Sequence, residues 1–165
     1  MLDARLGRRA FVVTSLSLGA AGCFGGDPEP TAAQLRDRKI RRGVLRSERH
    51  LIARYEATEE HHPELAGVLA QLRREHESHL HAIARRETRP GDGASPGRSP
   101  GQSPGQSPPP ATPEQALRAL VKAEEQASDE RMGDVLTASP LLARLVAGIG
   151  AAEAGHAEFL RGAGT

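Results

Sequence analysis

Tryptophan is missing from this chain, and one tyrosine and three phenylalanines supply all the aromatic content of its 165 residues. A core built from so few rings has to rest mainly on Leu, Val and Ala. Cysteine occurs once, at Cys23, which excludes an intrachain disulfide and a thiolate metal cluster. The longest apolar run, Ala10 to Gly22, is 13 residues. A membrane-spanning helix needs about 20, so that run is too short to cross a bilayer. No segment alternates apolar and polar residues with the period of two that marks a half-buried strand.

Charge of one sign is lacking as well. The chain holds 22 basic and 21 acidic residues, and positions 1–22 contain three and one of them. The remainder carries 19 against 20, a net of −1, so the slight basicity belongs to the first segment. Nothing in this balance points to nucleic acid.

That first segment does not read as fold. Arg5, Arg8 and Arg9 precede the 13-residue apolar run, and small residues follow it. These are the proportions of a secretory signal with its cleavage site. The stretch Gly7-Arg8-Arg9-Ala10-Phe11-Val12-Val13 resembles a twin-arginine export signal. Ala20-Ala21-Gly22-Cys23 resembles a bacterial lipobox, with alanine where leucine is usual. A lone thiol in an exported protein is a reactive liability that lipidation removes. The expected organisation is a signal over 1–22, then lipidated Cys23 and a tether over 23–30. The alternative is an ordinary signal peptide with an incidental cysteine.

Helical signals then take over. Thr31-Ala32-Ala33-Gln34 has the form of a capping box, followed by a stripe of Ile40, Val44, Leu51, Ile52 and Tyr55. This helix is expected to end near His61-His62, and the next to begin at Pro63, with Leu65, Val68, Leu69, Leu72, Leu80 and Ile83 on one face. A third helix starts from a second capping box at Thr112-Pro113-Glu114-Gln115, with Leu117, Leu120, Val121, Met132, Val135 and Leu136 as its stripe. A fourth starts at Ser139-Pro140 and carries Leu142, Leu145, Val146, Ile149, Phe159 and Leu160.

These helices form two hairpins, 31–88 and 112–162. Between them the Ser-Pro-Gly repeat of residues 89–111 predicts a disordered linker, because it cannot bury a core. A flexible chain of that length spans roughly 25–30 Å, enough to run along a bundle and start the third helix at the far end.

Six polar residues fall within the apolar stripes: Glu48 on the first helix, His76 and His79 on the second, Glu124 on the third, Glu153 and His156 on the fourth. Buried carboxylates are expensive unless partnered, and a bound metal is the most economical partner for three carboxylates and three imidazoles. The two hairpins match internally. Glu48 precedes His76 by 28 residues and His79 by 31, and Glu124 precedes Glu153 by 29 and His156 by 32. Tyr55, the only tyrosine, reads as packing, with a place beside a redox metal as the alternative. His50, His61, His62 and His81 read as surface residues, and the arginine pairs at 73–74 and 85–86 as solvated faces.

The pattern resembles the ferritin-like four-helix bundles, in which two helices give one Glu each and two give a Glu-x-x-His pair. Glu153-Ala154-Gly155-His156 matches that pair, and Glu48 and Glu124 match the single glutamates. Helix two departs, because His76-Glu77-Ser78-His79 puts His76 where the bridging Glu belongs. Together with the lipobox, the whole is similar to the small ferritin-like lipoproteins of high-GC bacteria. The resemblance implies an all-α bundle of two antiparallel hairpins joined by one long crossover, with a divalent metal in its core. Glu48 and Glu124 would be terminal ligands and Glu153 the bridge.

The departure at His76 matters for charge. Two divalent ions bring +4 against −3 from Glu48, Glu124 and Glu153, which favours one ion or a hydroxide-completed pair. Glu75, four residues before His79, is a further candidate ligand. The donor types suit Fe, Mn, Zn or Cu. The expected setting is extracytoplasmic, on the cell membrane through the lipid, with a second copy or another envelope protein as partner. The competing reading is a metal-free interaction or scaffold module whose polar core is satisfied by its own pairing. Gly148, Gly150 and Gly155 in the fourth helix suggest marginal stability without metal or partner.

Overall fold

The computed structural model describes residues 29–85 and 108–164. The signal segment 1–22 with Arg8 and Arg9, the lipidation candidate Cys23 and most of the 89–111 linker lie outside the described residues. The described residues form four α-helices and no strand: α1 (Ala32–His61), α2 (Ala66–Ala84), α3 (Pro113–Val135) and α4 (Pro140–Ala163). The four pack together as an all-α bundle.

Local chemistry sets the helix ends. Thr31 Oγ1 accepts from the Gln34 N–H at 3.2 Å, and Gln34 Oε1 accepts from the Thr31 N–H at 2.7 Å, which completes the expected box. At α3 only half of it forms: Thr112 Oγ1 accepts from the Gln115 N–H at 3.3 Å. Pro63 opens a short 3-10 turn (Pro63–Leu65), so α2 itself begins at Ala66. Ser139 precedes Pro140 but does not cap α4 with its own hydroxyl. Its Oγ–H and N–H instead donate to the Asp37 carboxylate at 2.5 and 3.0 Å, so α1 caps the start of α4.

Contacts between ends fix the topology. Arg36 near the start of α1 donates to Thr137 O beyond the end of α3. At the other end, His62 Nε2 lies 2.8 Å from Pro110 O, just before α3. Thus α1 and α3 are antiparallel, α2 and α3 run the same way, and the end of α2 and the start of α3 stand at opposite ends of the bundle. This is the arrangement that a long crossover between two hairpins predicts.

Two apolar clusters form the core. Ile40, Val44, Leu45, Ile83, Leu142, Val146 and Ile149 pack at the end where α1 begins. Tyr55, Leu69, Leu72, Leu117, Leu120 and Leu160 pack at the other. Between them lies a layer of buried Glu48, His76, Glu124, Arg131, Glu153 and His156.

Several expected stripe members face solvent. Met132, Leu136 and Phe159 are 60%, 84% and 54% exposed. The buried face of α3 follows Leu117, Leu120, Glu124, Ala127 and Arg131, alternating steps of three and four. Steps of four drift off a helix of 3.6 residues per turn, which is why Met132 lies one position past the core. His62, expected at the surface, is buried against the chain that enters α3.

Glycine matters at one crossing. A Cβ on buried Gly150 would stand 2.8 Å from Arg131 Cβ, so only glycine lets α3 and α4 approach this closely. Gly148 and Gly155 meet no neighbour and have no such role. Among the described residues, no helix is long and apolar enough to cross a membrane.

Candidate metal centre

His76 is the hub of the polar layer. It projects from the middle of α2 and is fully buried, with its two ring nitrogens facing different helices. Nδ1 lies 2.9 Å from Glu48 Oε2 of α1, and Nε2 lies 2.8 Å from Glu124 Oε1 of α3. His79, one turn on, turns Nδ1 toward Glu48 Oε1 at 3.6 Å. From α4, His156 turns Nδ1 toward Glu124 Oε1 at 3.8 Å, while its Nε2 holds Glu75 Oε2 at 2.9 Å. The Tyr55 hydroxyl donates to Glu124 Oε1 at 2.5 Å. Its burial beside that carboxylate pushes the phenol's pKa up.

Each expected site residue can now be placed. Glu48, His76 and His79 form one group, and His76, Glu124 and His156 a second; within each, the donor atoms lie within 4.8 Å of one another. Both groups could hold a metal ion, and they share His76. Glu75 joins the periphery through His156. Glu153 is fully buried in the same layer but belongs to neither group; its Oε1 lies 3.5 Å from Arg131 Nε.

Sequence reasoning missed Arg131 as a member of this layer. It is 1% exposed and also pairs with Asp134, Nη1 to Oδ2, at 3.3 Å. The signal was present, since Arg131 lies seven residues after Glu124, on the same face of α3. Tyr55 also does more than pack.

Electrostatics follow from burial and pairing. Burial raises the pKa of Glu48, but the hydrogen bond from His76 and the nearby imidazole of His79 more than offset it, and the carboxyl sits below its ordinary range. Glu124 is likewise opposed by burial, yet the imidazoles of His156 and His76 and the Tyr55 hydroxyl bring it down to about 2. Burial disfavours a charge on His76, but Glu124 and Glu48 raise it to about 9. With both nitrogens donating, its metal-free form is an imidazolium. Burial pushes Glu153 up to about 8; Arg131 works against that, and the charges of Glu48 and Glu124 add to it.

The donor set fits a divalent ion. Ligand bonds of about 2.0–2.2 Å in a tetrahedral site put neighbouring donors about 3.4 Å apart. The separations around Glu48 are 2.9 and 3.6 Å, and those around Glu124 are 2.8 and 3.8 Å. Eight buried atoms of the layer have no hydrogen-bond partner among the described residues: Glu48 Oε1, His79 Nδ1, Glu124 Oε2, both Glu153 oxygens, His156 Nδ1, and Arg131 Nε and Nη2. An unmet buried group costs about 1–3 kcal/mol, a large share of a domain's stability of about 5–15 kcal/mol. Some of these atoms face a countercharge at ion-pair range, Glu48 Oε1 with His79 Nδ1 at 3.6 Å, Glu153 Oε1 with Arg131 Nε at 3.5 Å and His156 Nδ1 with Glu124 Oε1 at 3.8 Å, and an ion or water would complete the rest.

A four-helix bundle with a His/carboxylate layer at mid-height is thus the class that fold and site define. No protein-family model, curated protein or solved structure matches this chain.

Proposed function

We propose that this protein is a membrane-anchored envelope lipoprotein whose ferritin-like bundle binds one or two divalent metal ions, Fe, Mn or Zn, in its core. The convergence on one layer of two groups of buried carboxylate and imidazole donors that share His76 carries this reading. Glu48, His76, His79, Glu124 and His156 would hold the metal, with Glu75 orienting His156 and Glu153 balancing charge beside Arg131. Iron or manganese there would supply redox chemistry with dioxygen or peroxide. The chain's own part is to exclude water with the two apolar clusters and to hold a proton on Tyr55 beside Glu124. Export as a lipoprotein rests on Arg8-Arg9, the short apolar run and Cys23.

Elemental analysis of protein reconstituted with Fe(II), Mn(II) or Zn(II) tests the centre. Stoichiometric metal that falls in Glu124→Ala supports it, and none at saturation overturns it. Mass spectrometry of Cys23 from membranes tests the anchor, with Cys23→Ser expected to release the protein.

A second reading, a metal-free scaffold module, is favoured by the satisfaction of His76 on both nitrogens. His76 and Arg131 as cations, Glu48 and Glu124 as anions and Glu153 protonated make a neutral core. Metal-free protein as stable as reconstituted protein would decide for it.

A further inference from the structure

Resting on the metal-binding reading, we infer that the centre takes two ions and that His76 bridges them as an imidazolate, one ion on each ring nitrogen. A neutral imidazole has one lone pair and serves one metal. An imidazolate has two, directed away from each other in the ring plane, and the structure aims the two nitrogens of His76 at separate donor groups. On the Nδ1 side stand Glu48 and His79; on the Nε2 side stand Glu124 and His156. A single ion cannot use both nitrogens of one ring, so one ion would leave a complete group without its central ligand.

The second histidine of each group bears this out. His79 Nδ1 and His156 Nδ1 are both buried and make no hydrogen bond, standing 3.6 and 3.8 Å from an oxygen of their own glutamate. His156 is held in that orientation by Glu75 on its other nitrogen, the kind of outer contact that fixes a ligand's tautomer.

Formal charge favours the same arrangement. Glu48, Glu75, Glu124 and Glu153 bring −4 when ionised, and Arg131 brings +1. Two divalent ions against that total, in which Glu75 is half-exposed at the edge of the layer, leave +1, and deprotonating His76 cancels it. The residue that departs from the bridging carboxylate thereby supplies the same negative charge and the same two-sided coordination. Protons balance as well, since the doubly protonated ring gives up two protons and Glu153 one, three released to solvent as two ions bind.

Copper(II) is the probe, because coupling through an imidazolate suppresses its paramagnetic resonance. The purified full chain is stripped with chelator, titrated with Cu(II) against a weak competitor that clears surface histidines, and passed through gel filtration. We expect two coppers per chain, with the resonance of the first equivalent lost as the second binds. His79→Ala and His156→Ala, checked for fold by circular dichroism, should each bind one copper with a full signal. Two coppers of undiminished signal would overturn the bridge, and one copper in the unaltered chain would overturn the two-ion centre while leaving metal binding intact. No bound copper would remove both.

Discussion

Replacing Glu153 with glutamine in the metal-free protein should abolish a loss of stability on the alkaline side. The folded protein keeps a proton on Glu153 until about pH 8, against an ordinary value of 4.5. Below 4.5 both folded and unfolded chains hold that proton, so its contribution is fully present there. Between 4.5 and about 8 the unfolded chain has released the proton and the folded one has not, so stability falls as pH rises. At about 1.4 kcal/mol per pH unit the window amounts to about 5 kcal/mol, a third or more of a typical domain's stability. Glutamine occupies the same space without ionising and removes this dependence. The assay is urea denaturation with chelator present, followed by far-ultraviolet circular dichroism because the chain lacks tryptophan. His76, raised to about 9, adds a slope of the same sign between about 6.5 and 9 in both proteins, so the difference between them isolates Glu153. Parallel stability curves for the two proteins from pH 5 to 8 would refute the reasoning.

Three further outcomes are expected. Glu124, held at about 2, stabilises the fold above its ordinary 4.5 and loses that contribution as pH falls toward 2; Glu124→Gln should cost about 3 kcal/mol at pH 6 and little near pH 2, by denaturant titration. Tyr55→Phe removes the donor to Glu124 Oε1 and should cost about 1–3 kcal/mol, read as a lower Tm. Gly150→Ala forces a methyl against Arg131 and should destabilise by about 1–3 kcal/mol, whereas Gly148→Ala, with open space around it, should gain up to about 1 kcal/mol in the same melting assay.

The buried carboxylates were legible because a charged residue inside a leucine stripe contradicts its surroundings. Glu48, His76, Glu124 and Glu153 all prove fully buried on that logic. The pairing within the layer was not legible, since helical periodicity gives the height and face of a side chain but not the rotation of neighbouring helices. Arg131 fell outside the reading because a single arginine usually marks solvent and Met132, the next residue, looked like the stripe. The end-to-end crossover could be read from the length and composition of segment 89–111. The Asp37 cap on α4 could not, because it depends on two residues 102 positions apart.

The division of the centre between the hairpins has a consequence for assembly. Glu48, His76 and His79 belong to the first, and Glu124, Arg131, Glu153 and His156 to the second, and hydrogen bonds tie the two together at each end. The first alone holds His76 with only its Glu48 and His79 side, and the second lacks His76 altogether. Two separately made peptides, 29–85 and 108–164, are therefore complementary pieces of one centre, and metal would act between them as the fastener that the intact chain replaces with a covalent tie.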